Sequence, residues 1–317
     1  MAGAGAVASA TPVPPPRVGV IGLGAMGLPM ARRLLAAGFP VVATRHHDPH
    51  APAILAAAGG GIVETPVALA PLVDVVVLML PSSREVEAVV TGEGGLEAAM
   101  APEQVLVDMG TSDPASTRRL AARLAARGVS LVDAPVSGGV KGATDGTLVI
   151  MAGGPPEVVA RVRPILDAVG RHVVHAGPTG AGHSLKLVNN LVALTTMAVL
   201  VEAIRLARAA GLALPVVVEA LQHGSADSAM LRTLAQRLQA QRFDPGFRIR
   251  LAHKDLALAE QLGDALGVRL PLGTGARQLL QAAIADGLGD LDTSALASDS
   301  PARQGLNRPR GPAPHPG

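Results

Sequence analysis

The chain has 317 residues, 49% of them hydrophobic and 16% charged, so most of it folds, and it is long enough for two domains. With three Phe and no Trp or Tyr its core must be aliphatic, and with no Cys it can form no disulfide and do no thiol chemistry, in keeping with a reducing compartment such as the cytoplasm. A net charge of +2 beside a pI of about 9.6 reflects a slight basic excess with no Cys or Tyr to titrate, rather than a basic face, which argues against nucleic-acid binding.

Residues 1–16, MAGAGAVASATPVPPP, lack the basic and apolar regions of a secretory signal and read as a disordered leader. A first strand over Val18–Ile21 turns through glycines into a helical pattern that stops at Gly38, and a second strand, VVAT, follows. The turn, GLGAMG, comprises Gly22, Leu23, Gly24, Ala25, Met26 and Gly27. Glycines in such a turn let the backbone approach a pyrophosphate seated on the helix N-terminus. They also occur in plain strand–helix turns, but the strand before and the helix after favour dinucleotide binding.

The apolar runs VDVVVLMLP, QVLVDMGT and VSLVDAP read as buried parallel strands. A helix over DPASTRRLAARLAARG lies between the last two, capped by Asp113 or a neighbour and closed by Gly128. TLVIMAGG and RHVVHAG continue the sheet. This alternation predicts an α/β, doubly wound parallel sheet of Rossmann type over residues 17–180, with ligands at the carboxyl ends of its strands. The loops GLGAMG, RHHD, LPSS, GTSDP and PVSGGVKG therefore carry the chemistry.

From residue 181 helical periodicity takes over. A long first helix to Gly211 is followed by LPVVVEALQHG, SAMLRTLAQRLQAQ, IRLAHKDLALAEQLGDALG and TGARQLLQAAIADGLG, which predicts an all-α domain over 181–296. The long helix is apolar on most sides, but Glu202, Arg205 and Arg208 fall inside it, so it reads as a buried helix and not as a membrane span. Residues 297–317 are Pro-rich and read as a disordered tail.

The residue that closes the second strand of such a sheet chooses the cofactor: an acid holds the 2′-hydroxyl of NAD, an arginine the 2′-phosphate of NADP. In VVATRHHDP that place falls on Arg45, with His46 and His47 next and Asp48 further along the loop. NADP is expected in preference to NAD. His46, His47 and His50 can also be read as metal ligands, but nothing else supplies a ligand set, and no metal is expected.

Lys186, in HSLKLVNN, is one of three lysines against twenty-four arginines. Asn190 is four residues on, so both side chains share one helix face. By spacing alone, Lys186 could be a lysine snorkelling from a helix flank. Its surroundings say more. GLGAMGLPMARRL at 22–34, LPS at 80–82, DMGTSDP at 108–114, DAPVSGG at 133–139, GAGHSLKLVNN at 180–190 and HKDLALA at 253–259 follow one another across residues 17–290. In these motifs the sequence resembles the β-hydroxyacid dehydrogenases, a group that includes 3-hydroxyisobutyrate dehydrogenase, tartronate semialdehyde reductase and the glyoxylate/succinic semialdehyde reductases.

The resemblance implies a Rossmann domain followed by an α-helical substrate and oligomerisation domain, assembled as a homodimer or homotetramer. It places the catalytic lysine at Lys186 and its helper asparagine at Asn190. It places the substrate carboxylate on Ser137, Gly138 and Gly139, with Asp255 beside the nicotinamide and substrate. Cofactor contacts fall on Leu80, Pro81, Thr111 and Lys254. The chemistry suits these residue types. A lysine desolvated by apolar neighbours and close to a nicotinamide cation loses proton affinity and can cycle near neutrality, whereas arginine stays protonated. PVSGG exposes successive N–H groups that can cradle a carboxylate, though it also reads as an ordinary glycine turn. Lys141 either adds charge to this mouth or is solvated, and Asn189 has a supporting role.

The function so implied is NADP- or NAD-dependent interconversion of a small 3-hydroxy acid and its semialdehyde. Imine reduction on the same fold, or a non-catalytic dinucleotide-binding module, are the alternatives. The lysine-bearing motifs argue against the first. A module that only sensed dinucleotides would not need a proton donor facing a carboxylate cradle.

Overall fold

The computed structural model describes residues 14–45 and 48–298. The expected leader up to residue 13, the expected tail from residue 299, and His46 and His47 lie outside the described residues. Short β-branched runs alternate with helices from the start: β1 (Val18–Ile21), α1 (Gly27–Ala36), β2 (Val41–Thr44), α2 (His50–Ala57), β3 (Gly61–Val63), α3 (Pro66–Leu69) and β4 (Val75–Leu78). Then come α4 (Ser83–Thr91), α5 (Leu96–Ala99), β5 (Val105–Asp108), α6 (Pro114–Ala125), β6 (Ser130–Asp133), β7 (Val136–Ser137), α7 (Gly139–Asp145), β8 (Leu148–Gly153), α8 (Pro156–Val169) and β9 (Gly170–Gly177).

The sheet runs β3-β2-β1-β4-β5-β6-β8-β7, with β9 also paired to β8. Its first six strands are mutually parallel. Side chains alternate across it, so Val75 and Val77 join one core with Met30, Leu34 and Val162, while Val76 and Leu78 join another with Val90, Leu120 and Leu124. Both faces are covered, which is why the central strands β1 and β4 carry no polar side chain. α6 is capped by Asp113, whose carboxylate accepts from the N–H groups of Ala115 and Ser116.

Two strands depart from the parallel expectation. β8 runs antiparallel to β6, and β9 is parallel to β8. The segment joining β6 to β8 forms only the two-residue β7 and the seven-residue α7. A parallel return needs a longer crossover, usually a full helix packed on the sheet.

The helical part comprises α9 (Ala181–Ala209), α10 (Leu214–His223), α11 (Ala229–Gln239), α12 (Ile249–Ala265) and α13 (Pro271–Ala285). Leu194, Met197, Val201 and Ile204 of α9 pack against Leu231 and Leu234 of α11, Leu256 of α12 and Leu280 of α13. After α13 comes a buried 3₁₀ turn, Thr293–Ala297, whose Leu296 and Ala297 carbonyls accept from Arg205 and Arg208. With a mean hydropathy of 1.8, α9 has the length and composition to cross a bilayer, but one face of it is the spine of this core. At its start, a Cβ on Gly182 would stand 2.2 Å from the Met151 carbonyl oxygen, so only glycine lets the helix abut the end of β8. That contact brings Lys186 to the carboxyl edge of the sheet.

Candidate active site

The glycine turn after β1 is closed on one side and open on the other. Gly22 has φ +101°, and a Cβ there would lie 2.3 Å from the Met79 carbonyl oxygen. A Cβ on Gly27 would lie 1.9 Å from the Gly22 oxygen, yet one on Gly24 would meet no atom within 4 Å. Leu23 points into the core, Ala25 is exposed and Met26 half-buried. α1 has no side-chain cap at its N-cap, Met26, so its N-terminus is open to an anion. The open approach at Gly24 and this uncapped terminus fit a dinucleotide pyrophosphate.

The loops that follow β4 and β5 converge on the same turn. Leu80 Cδ2 lies 3.2 Å from the Cβ position of Gly22, and the Leu80 carbonyl 2.6 Å from that of Gly110. Lys254 of α12 ties the two loops together: its ammonium donates to the Pro81 carbonyl at 2.7 Å and to the Thr111 carbonyl at 2.6 Å. At the far edge, Arg45 follows β2 and pairs with Glu64, which follows β3, at 2.6 Å. Thr44 and Val63 are register partners, so the two charged residues are next in line beyond the sheet. The carboxylate that meets Arg45 comes from the neighbouring strand. His50 opens α2, its N–H on the Asp48 carboxylate at 2.9 Å.

Lys186, Asn190 and Asp255 are 8%, 3% and 3% exposed, so three polar side chains are buried where α9 meets α12. The Asn190 amide donates to Asp255 Oδ2 at 2.7 Å, while Asn189 donates to Asn190 Oδ1 at 3.0 Å and so orients it. The other oxygen of Asp255 faces Lys254 Nζ at 3.0 Å. Burial holds the Lys186 ammonium below the usual lysine range; the Asp255 charge opposes the shift, and Lys254 adds to it.

Ser137 lies on β7, paired with Val149, and not in a free loop. Gly138 and Gly139 both have positive φ, and a Cβ on Gly139 would meet nothing within 4 Å, so its backbone is open to a ligand. This stretch makes no hydrogen bond to Lys186 or Asp255. Lys141 is exposed and pairs with Asp145.

A second buried cluster was not singled out from the sequence. Asp108 and Asp133 end β5 and β6 as register partners, both fully enclosed. Asp133 accepts from the N–H groups of Gly180 and His183 at 2.7 and 2.8 Å. The His183 ring lies between the two carboxylates, with Nδ1 2.8 Å from the Thr117 hydroxyl. The signal was there: VLVD and SLVD are two apolar strands that each end in a carboxylate.

Two family profiles match the chain. The NAD-binding domain of 6-phosphogluconate dehydrogenase matches residues 17–177, and the NAD-binding domain of NADP-dependent 3-hydroxyisobutyrate dehydrogenase matches residues 180–298. The chain is 39% identical over 281 residues to 2-(hydroxymethyl)glutarate dehydrogenase of Eubacterium barkeri, covering 88% of this chain and 93% of that one. It is 36% identical to 2-hydroxy-3-oxopropionate reductase of Escherichia coli, covering 88% and 95%. Among solved structures, 3-hydroxyisobutyrate dehydrogenase from Salmonella typhimurium superposes with a TM-score of 0.82 at 32% identity, covering 89% of this chain and 98% of that one.

Proposed function

The chain belongs to the β-hydroxyacid dehydrogenase family, and from this premise we propose that it interconverts a small 3-hydroxy acid and its semialdehyde with NADP, using Lys186 as the proton-transfer group. The observation that carries this reading is the buried array of Lys186, Asn190 and Asp255, joined through Lys254 to the loops beside the glycine turn. It is an oxidoreductase with a nicotinamide cofactor, which when bound supplies or accepts the hydride.

The protein's part is then to move one proton and hold two molecules. In reduction the Lys186 ammonium donates its proton to the carbonyl oxygen, and in oxidation the neutral amine removes it from the hydroxyl. Burial lowers the proton affinity of Lys186, which eases release of the proton in this cycle. Asn190 has one amide hydrogen on Asp255 and a second for the substrate oxygen. Ser137, Gly138 and Gly139 take the substrate carboxylate. The relatives' names support a carboxylate beside a hydroxymethyl or aldehyde carbon: 2-(hydroxymethyl)glutarate, 2-hydroxy-3-oxopropionate and 3-hydroxyisobutyrate. Arg45, standing where NAD would call for an acid, supports the 2′-phosphate of NADP.

We also propose a homo-oligomer, a dimer or a tetramer. Val188, Val192, Val199 and Leu206 form an outward stripe on α9, each more than half exposed. A second copy of the stripe would cover it.

A panel of small semialdehydes and 3-hydroxy acids, assayed with NADPH, NADH, NADP and NAD, tests the activity. Turnover of a 3-hydroxy acid with NADP favoured is the expected result. No turnover of any hydroxy acid or semialdehyde with either cofactor would overturn it.

A further inference from the structure

The buried cluster around His183 lies one helical turn before Lys186, about 4.5 Å along the axis of α9. Gly180, the N-cap of α9, has no side chain, so the helix supplies no cap of its own. The cap comes instead from Asp133, 47 residues before Gly180, whose two oxygens take the N–H of Gly180 itself and that of His183 in the first turn. A cap on the helix only ends it; a cap from the sheet also fixes where it stands. The approach is close: a Cβ on Gly153 or on Gly182 would come within 3 Å of the Asp133 side chain.

His183 extends the link sideways. The Thr117 hydroxyl donates to the Asp113 carbonyl, so the ring's Nδ1–H is the donor to that hydroxyl. Nε2, on the other side of the ring, lies 3.6 Å from Asp108 Oδ2 and makes no hydrogen bond. Asp108 in turn accepts from the Gly110 N–H at 2.9 Å and the Ser112 hydroxyl at 2.7 Å, shaping the loop whose Thr111 carbonyl receives Lys254. The buried cluster thus sets the helix of Lys186 against the ends of β5 and β6, beside the loop that Lys254 grips.

Enclosing a carboxylate is costly, and burial pushes the Asp133 carboxyl above its usual range, against the pull of His183 and the two N–H groups. A neutral amide of the same shape would avoid that cost but would offer one acceptor oxygen, so only the carboxylate can receive both N–H groups. We propose that Asp133 and His183 are positioning residues for Lys186, holding the first turn of α9 on the ends of β5 and β6 so that the ammonium stands at a fixed height over the cofactor loops. The proposal rests on the reading of Lys186 as the proton-transfer group.

Asp133→Asn keeps the shape and one acceptor oxygen, but turns an NH₂ toward the other N–H. The measurement is kcat, substrate KM and cofactor Kd for Asp133→Asn, Lys186→Ala and the double variant, using the hydroxy acid turned over fastest in the panel. His183→Gln is made beside them in case the aspartate variant does not fold. A misplacement on the order of 1 Å can cost about a hundredfold in rate, so kcat should fall about ten- to a hundredfold while cofactor Kd stays within about twofold. The double variant should be no slower than Lys186→Ala alone, because a positioning residue has nothing left to position. Without cofactor, amide hydrogen exchange over residues 180–187 should quicken in both Asp133→Asn and His183→Gln. A folded Asp133→Asn with wild-type kcat, or a loss that multiplies in the double variant, would overturn the proposal. If Lys186→Ala alone retains full turnover, the parent reading falls as well, and that single variant tells the two failures apart.

Discussion

Asn190 and Asp255 are joined by a 2.7 Å hydrogen bond between two helices, α9 and α12, that share no sequence signal linking them. Through this bond the carboxylate is held beside Lys186, whose ammonium it favours, and beside Lys254. Removing that charge has a sign that can be worked out. In Asp255→Asn the Lys186 ammonium loses a stabilising neighbour, so its pKa moves further down. Reduction needs the ammonium, so its alkaline limb should shift to lower pH. Oxidation needs the amine, and its acid limb should shift the same way. pH–rate profiles in both directions check this, and limbs that stay in place would show that Lys186 does not set them.

Arg45→Asp should reverse the cofactor preference. The new carboxylate would stand beside Glu64, so a 2′-phosphate would meet two negative charges in place of a cation. Hydrogen bonds to charged groups contribute about 1.5–3 kcal/mol, so NADP should bind about ten- to a hundredfold more weakly and NAD no worse. Titrations with both dinucleotides read the change directly. An unmoved preference would pass the role to His46 or His47.

Much of this was legible in the sequence, for reasons that can be named. The glycine turn could be read because strand, glycines and helix are adjacent in the chain, and Lys186 with Asn190 because four residues make one helical face. The direction of β8 could not, since TLVIMAGG is as apolar in an antiparallel pairing as in a parallel one. Nor could the partners of Arg45, Asn190 and His183. Glu64, Asp255 and Asp133 lie 19, 65 and 50 residues from them, and only the fold brings them together.

A buried amine also leaves a mark on stability. The folded pKa of Lys186 lies below its unfolded value, so between the two the unfolded chain binds the extra proton and stability rises with pH. Lys186→Met should therefore be the more stable protein at neutral pH, by on the order of 1 kcal/mol, and the gap should close as pH climbs toward the ordinary lysine range. With no Tyr or Cys in the chain, few other groups titrate there. Thermal or urea melts across that range test it; a gap that stays constant with pH would contradict it.

The α9 stripe makes a prediction about assembly. Val192 is 62% exposed at its middle. Val192→Glu would place a like charge against its own copy, and should convert the oligomer to a folded monomer at micromolar concentration. Light scattering on wild type and variant decides. A monomeric wild type would show that something else covers this face.

The central claim is that Lys186 transfers the proton, and Lys186→Ala tests it most directly. General acid–base groups typically contribute about a hundred- to ten-thousandfold in rate, or about 3–5 kcal/mol of barrier. The glycine turn and the loops tied by Lys254 do not depend on Lys186, so cofactor affinity should hold while turnover falls by that factor. Lys186→Arg should recover little, since it restores charge without a transferable proton. The measurement is steady-state turnover beside cofactor titration for wild type and both variants. A collapse of kcat with cofactor Kd unchanged is the predicted result, and wild-type turnover in the alanine variant would contradict the account.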